Sequence, residues 1–306
     1  MWFVMRTGDC PPAVEYDLAN LDAIGESNFG SAHAIPGVVD GATTVLVGMG
    51  DWTNTYVHPC QIFVYSYNMV TDSYGSIVRT LGDILPTATY SGSQPTSLRF
   101  DTDVSTYPTR YPGVGVEAHV CYDLSGASAK EYSWGSSFAA LTLGARRGNV
   151  IVWAYASGAS GVIKKYAVTG GATTGSSADP GFGWEYLHIH KNNTYIYGVD
   201  VSVTNVYQYD VSTLTQQTSF AVPTGMSAPI KLFSHTDNDN IWIAGTVGGG
   251  RKFYERVSGA WVLRFTCTSF PVEDDNYSIF MEGSTVWGFN MVNNMVEAWK
   301  VEPIGC

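Results

Sequence analysis

The sequence predicts an all-β fold, a single seven-bladed β-propeller spanning residues 1–306, with six blades as the alternative. Three observations carry that expectation. A tyrosine-centred phrase recurs seven times, most plainly as Val14-Glu-Tyr16-Asp-Leu18 and Val206-Tyr-Gln-Tyr209-Asp-Val211. Looser copies centre on Tyr67, Tyr122, Tyr166, Glu255 and Trp299, with steps of 51, 55, 44, 43, 46 and 44 residues between successive centres. The segments between centres alternate apolar and polar residues and are separated by Gly, Asn, Asp and Ser, as short antiparallel strands and tight turns require. Charged residues, at 14%, are sparse against a typical quarter, while Gly 33 and Tyr 19 suit closely packed sheets. A strand-built period of this length marks a ring of repeated four-stranded sheets.

Labelling each blade's strands A to D from inner to outer, the elements follow in order. Residue 2 already starts a B-type strand, so the first blade is expected to lack A. Blades two and three are lengthened by 51–60 and 86–112, insertions expected on one rim. Blade four reads as 138–143, 150–155, 162–168 and a Gly/Ser/Thr-rich outer stretch to Ala178. Blade five reads as 184–190, 194–199, 205–211 and 216–222, and blade six as 230–235, 241–246, 252–257 and 261–266. Blade seven has 277–281, 286–290 and 295–301, and five residues remain, so it is expected to lack D. An open edge of unpaired N–H and C=O groups must be covered, either by the termini meeting or by a strand from a neighbouring chain.

Composition narrows the function classes. A net charge of −11 argues against a nucleic-acid groove, which needs clustered Lys and Arg. It also disfavours anionic membranes. The pairs Arg146-Arg147 and Lys164-Lys165 read as solvated hairpin ends. No stretch reaches membrane-spanning length, and Met1–Arg6 lacks the long apolar run of a secretory leader. None of the five cysteines forms a CxxC pair, which argues against structural zinc. Ring closure could bring Cys10 and Cys306 together as a disulfide.

Several residues could carry chemistry. His188 and His190 are two apart on an expected inner strand, hence on the same side, and His235 ends the next one. Converging imidazoles could bind a transition metal. Asp237-Asn-Asp239-Asn240 has the alternate oxygens that calcium takes, without the downstream Gly and Glu of a calcium hand. An Asx-rich hairpin turn explains the same residues. Asp17, Asp123 and Asp210, each after a central Tyr, are expected to cap the C–D turn. Trp52, Tyr56, Tyr107 and Tyr111 lie in the insertions and are candidates for binding sugar or protein at the rim. No Gly-x-Ser-x-Gly elbow and no phosphate loop occurs.

The repeats are similar to β-propeller proteins as a class across nearly the whole chain. The recurring Trp-Asp dipeptide, the Asp-box of sialidases and the kelch double glycine are missing as repeats. The low Lys content and the Gly/Ser/Thr/Tyr-rich loops resemble the virion proteins of tailed phages, where propellers occur in tail and fibre parts. That resemblance implies a non-enzymatic structural or adhesive component, located in a virion or outside the cell. Its partners would be other structural chains or further copies of itself, with surface glycan as a further target. No nucleic acid, membrane insertion or obligate cofactor is expected. The alternatives are a glycan-binding lectin using the rim aromatics and a hydrolase or lactonase with a channel metal.

Overall fold

The structure, a computed structural model, describes residues 33–40, 44–51, 61–71, 73–81, 99–100, 109–112, 118–122, 129–133, 141–147, 150–155, 161–166, 173–235, 238–267, 277–282, 285–292 and 295–301. These residues form six antiparallel sheets. Sheet one holds β1 (His33–Asp40), β2 (Thr44–Asp51), β3 (Gln61–Asn68) and β4 (Ser73–Leu81). Sheet two holds β5 (Arg99–Phe100), β6 (Thr109–Pro112), β7 (Ala118–Tyr122) and β8 (Ala129–Ser133). Sheet three holds β9 (Leu141–Arg147), β10 (Val150–Tyr155), β11 (Lys164–Tyr166) and β12 (Thr173–Ser176). Sheet four holds β13 (Trp184–Ile189), β14 (Tyr195–Asp200), β15 (Asn205–Asp210) and β16 (Gln216–Ala221). Sheet five holds β17 (Ser227–Ser234), β18 (Ile241–Val247), β19 (Gly250–Val257) and β20 (Ala260–Cys267). The last sheet has, among the described residues, β21 (Tyr277–Glu282), β22 (Thr285–Val292) and β23 (Met295–Val301).

Every sheet is a meander in which consecutive strands pair. The repeated phrase maps onto this order without exception among the described copies. Tyr67, Tyr122, Tyr166, Tyr209, Glu255 and Trp299 all sit on the third strand of their sheet. The sequence period is therefore the sheet period. The copy at Tyr16, on which a count of seven rests, lies outside the described residues, as do residue 2, Cys10 and Cys306.

The first strands are mutual neighbours: β1 packs on β5, β9 on β13, β13 on β17 and β17 on β21. β21 and β22 then return to β1. Tyr67 on β3 meets Trp287 on β22 edge to face, with ring centroids 5.8 Å apart. The sheets thus stand around a ring, first against last, as β-propeller blades do.

Radial packing explains the composition of the strands. Along β14, Ile196 joins a core with Val152, Ala154, Ile163, Trp184 and Leu187 from sheets three and four. Its neighbours Tyr197 and Val199 face the other way, into a core with Ile230, Leu232, Ile241 and Ile243 of sheet five. A third core joins Phe233, Trp242, Ala244 and Phe253 to Ile279, Met281 and Val286 of the last sheet. A sheet buried on both faces needs apolar residues at successive positions, and strands of this kind lose the clean alternation of a half-exposed sheet.

Two local expectations move. The inner strand of sheet three runs Leu141–Arg147 instead of 138–143. Val150 pairs with Arg147, so the ladder between β9 and β10 runs to the last residue of β9. β11 starts at Lys164 instead of 162, and its Lys164-Lys165 pair lies on the strand rather than at a solvated end. Lys165 Nζ donates to the carbonyls of Val211 at 2.9 Å and Ser212 at 3.1 Å, tying sheet three to sheet four.

Four outer strands share a further device. In β4, β12, β16 and β20 the register slips beside the third strand's central region, leaving an extra residue on the outer strand. Bulges of this kind twist an edge away from further pairing.

Candidate functional site

Two regions gather polar groups. The first lies between sheets four and five, at the end of their inner strands. His188, half-buried on β13, shares a 2.7 Å hydrogen bond with Ser234 Oγ on β17. The Lys191 amide also donates to Ser234 Oγ, at 3.2 Å. His190 follows β13 and is 1% exposed. Its Nδ1 accepts from the Asn192 amide at 3.4 Å, while Nε2 is buried without a partner. Burial lowers its pKa from the ordinary 6.5, against smaller raising contributions from Asn192 and Asp239. His188 and His190 therefore both face sheet five, as their spacing predicts.

A buried cation, Lys231, joins this region, and two further buried charges, Arg251 and Glu255, lie on the opposite face of sheet five, beside Phe253 of the third core. Lys231 on β17 places Nζ 5.0 Å from the centre of the Tyr186 ring. Arg251, 1% exposed on β19, donates from Nη1 to the Pro229 carbonyl at 2.7 Å. Glu255 is buried on the same strand, accepting from Asn240 Nδ2 at 2.7 Å and from Arg264 Nε at 2.7 Å. Sequence reading missed Ser234, Lys231 and Arg251. The signal for Lys231 was its place inside the apolar run Ile230-Lys-Leu-Phe233 of an inner strand.

Of the metal candidates, His190 lies near Asp239. His235 donates its amide to Asn240, and Asp239 lies exposed in the β17–β18 turn. Asp237 lies outside the described residues. Among the described residues no three side chains of His, Cys, Asp or Glu come together. Of the rim aromatics, Trp52, Tyr56 and Tyr107 lie outside the described residues, and Tyr111 falls on β6, opposite Val120.

Of the expected turn caps, Asp210 is found where the phrase places it, while Asp17 and Asp123 lie outside the described residues. Asp210 Oδ1 accepts from the amides of Ser212 at 2.8 Å and Thr213 at 2.9 Å. Hydrogen bonding, the Ser212 hydroxyl foremost, lowers its pKa. Asn68 holds the equivalent position in sheet one and accepts from the amides of Val70 at 2.8 Å and Thr71 at 3.1 Å. Asp200 does the same for the β14–β15 turn, accepting from the amides of Thr204 and Asn205, each at 2.8 Å. These carboxylates serve the backbone.

The second region is the circumference. β12, Thr-Thr-Gly-Ser, and β16, Gln-Gln-Thr-Ser-Phe-Ala, are largely exposed and carry no charge. On β20, Val262 and Leu263 are 37% and 44% exposed. Among the described residues of 161–266, Asp179, Asp239 and the Asp210 carboxylate stand in solvent, and Arg264 is partly solvated. Arg264 is tied to Glu255. The three outer strands are connected. Leu214, in the turn before β16, lies against Gly175 of β12. The Trp261 indole of β20 donates to the Ala221 carbonyl at 2.8 Å and packs 5.7 Å from the Phe220 ring.

No protein-family model and no curated protein matches the chain. Among solved structures, it is similar to the WD40 domain of coronin from Toxoplasma gondii, with a TM-score of 0.53 and 10% identity over 97% of this chain and 89% of that one. It is also similar to a chain in the crystal structure of the mitotic checkpoint complex, with a TM-score of 0.53 and 10% identity over 90% and 96% of the two chains. At this identity the likeness shows the propeller fold and nothing of function.

Proposed function

We propose that the protein is a non-enzymatic contact propeller, a structural or adhesive part of a virion or other large assembly of the phage tail or fibre type. It would meet other protein chains or a host surface through its outer strands. The observation that carries this is that outer strands β12 and β16 carry no charged residue, and that the charge on β20, Arg264, is tied to Glu255, in a chain of net charge −11. Surface hydroxyl and amide groups are less costly to desolvate than charges, and interface centres are depleted in charged residues. The polar groups of the inner joint are largely engaged in holding sheets together, which leaves the rim as the face offered outward.

Fractionation of the producing cells tests the proposal. The protein is expected to sediment with large particles and to be accessible to antibody on them. Recovery only as free protein, never with particles, contradicts it.

A further inference from the structure

We infer that the outer seam between sheets four and five recognises a carboxylate-bearing segment of another protein, with Arg256 as the group that holds it. The inference rests on the contact-propeller reading and names the chemistry of the partner. Along β19, Lys252, Tyr254 and Arg256 alternate with the buried Arg251, Phe253 and Glu255, so they share the face turned toward sheet four. There Arg256 places Cζ 3.4 Å from the centre of the Phe220 ring on β16 and 5.6 Å from that of Trp261 on β20. The Trp261 indole is fixed in turn by its bond to the Ala221 carbonyl. The guanidinium is thus held against two rings from two sheets.

Its donors are free. Arg251 donates to the Pro229 carbonyl and Arg264 to Glu255, but among the described residues none accepts a hydrogen bond from Arg256. The Tyr197 phenol acts on it through space, and no carboxylate does. A guanidinium keeps its charge and offers five N–H groups, and partial burial without an acceptor is costly. One carboxylate satisfies two of those donors at once. Because the rings already orient the side chain, little freedom is lost on binding.

Two features select a peptide over a sugar acid. Leu263, 44% exposed, pairs with Tyr254 and so stands on the Arg256 face, where it offers apolar contact to a side chain beside the carboxylate. Lys252 lies on the same face, about 13 Å along the strand from Arg256. An extended peptide with acidic residues four apart repeats that spacing. The net charge of −11 is screened beyond about 8 Å at physiological salt, so Arg256 and Lys252 set the contact.

Fluorescence anisotropy on the full chain is the test. The probes are a labelled peptide with two Glu four residues apart among Leu and Ser, its Gln counterpart, and an oligosaccharide ending in a uronic acid. The Glu peptide is expected to bind, more weakly as salt rises, with the Gln peptide about ten-fold weaker and the oligosaccharide silent. Arg256→Gln should cost about ten-fold, and Arg256→Lys should not restore it, because an ammonium has neither the fork nor the flat stacking face. If Arg256→Gln lowers the melting temperature, Leu263→Ser, which leaves the stack intact, should still weaken binding about three-fold. No binding of the Glu peptide, equal binding of the Gln peptide, unchanged binding in the variants, or binding of the oligosaccharide alone overturns the inference. A protein that sediments with particles yet binds no Glu peptide loses this site and keeps the contact reading. One that binds the Glu peptide through Arg256 but is absent from particles keeps the site and loses that reading.

Discussion

The joint between sheets three and four and the joint between sheets four and five come from the same repeat but hold by different chemistry. At the first, Trp184 is wholly buried, edge to face with Tyr207 and Tyr209 at 5.6 and 5.8 Å, and its indole donates to the Gly161 carbonyl. Gly198 lies flat against that ring. At the second, apolar residues share the seam with His188, Ser234, His190 and Lys231, and Arg256 stacks 3.4 Å from the Phe220 ring centre at the outside. A propeller blade constrains backbone geometry strongly and joint chemistry weakly. The apolar joint should therefore dominate stability, and the polar joint should set its response to pH.

Trp184→Ala should break the apolar joint most severely, lowering unfolding free energy by about 3–5 kcal/mol in chemical denaturation. Gly198→Ala probes the same ring from the other side. Its Cβ would fall 2.6 Å from Trp184 carbons, and overpacking of this kind costs roughly 1–3 kcal/mol. An unchanged midpoint for both would mean the ring is not packed as described.

In sheet five, Arg264→Ala leaves the buried Glu255 with the Asn240 side-chain amide as its hydrogen-bond donor. The loss should be about 1–3 kcal/mol, toward the lower end because Arg264 is partly solvated. Arg264→Lys should recover part of it.

His190 sharpens the pH side of the comparison. With its folded pKa held below the ordinary 6.5, the folded chain binds fewer protons than the unfolded chain as pH falls through that value. Stability should therefore decline on acidification through that range. His190→Gln should flatten this part of the profile of melting temperature against pH, and an identical slope in the variant would remove His190 as its source.

The smallest effect belongs to the turn caps. Asp210→Ala should lower the melting temperature, while Asp210→Asn should be nearly silent, because Asn68 makes the same two amide contacts in sheet one. A loss from Asn as large as from Ala would show that charge, not capping geometry, matters there.

These contrasts mark what was legible in the sequence. Sheets four and five were readable almost strand by strand, since their turns carry Asn, Asp and Gly between short apolar runs. The third-strand centres and the Asp210 cap were equally plain, because both repeat locally. Partners across a joint were not readable. Nothing near His188 in sequence points to Ser234, and Lys165 reaches carbonyls 46 and 47 positions away. The neutral circumference was visible only as a low Lys content until the outer strands were placed. Joint chemistry depends on which residues two sheets bring face to face, and a repeat period does not specify that.

Closure of the ring is the claim on which every joint and the outer seam depend, and a double-mutant cycle on Tyr67 and Trp287 tests it most directly. These residues sit in the first and last sheets with ring centroids 5.8 Å apart. A closed ring predicts that Tyr67→Ala and Trp287→Ala are coupled in unfolding free energy by about 1 kcal/mol. Effects that simply add, to within about 0.3 kcal/mol, would contradict closure and with it the radial arrangement.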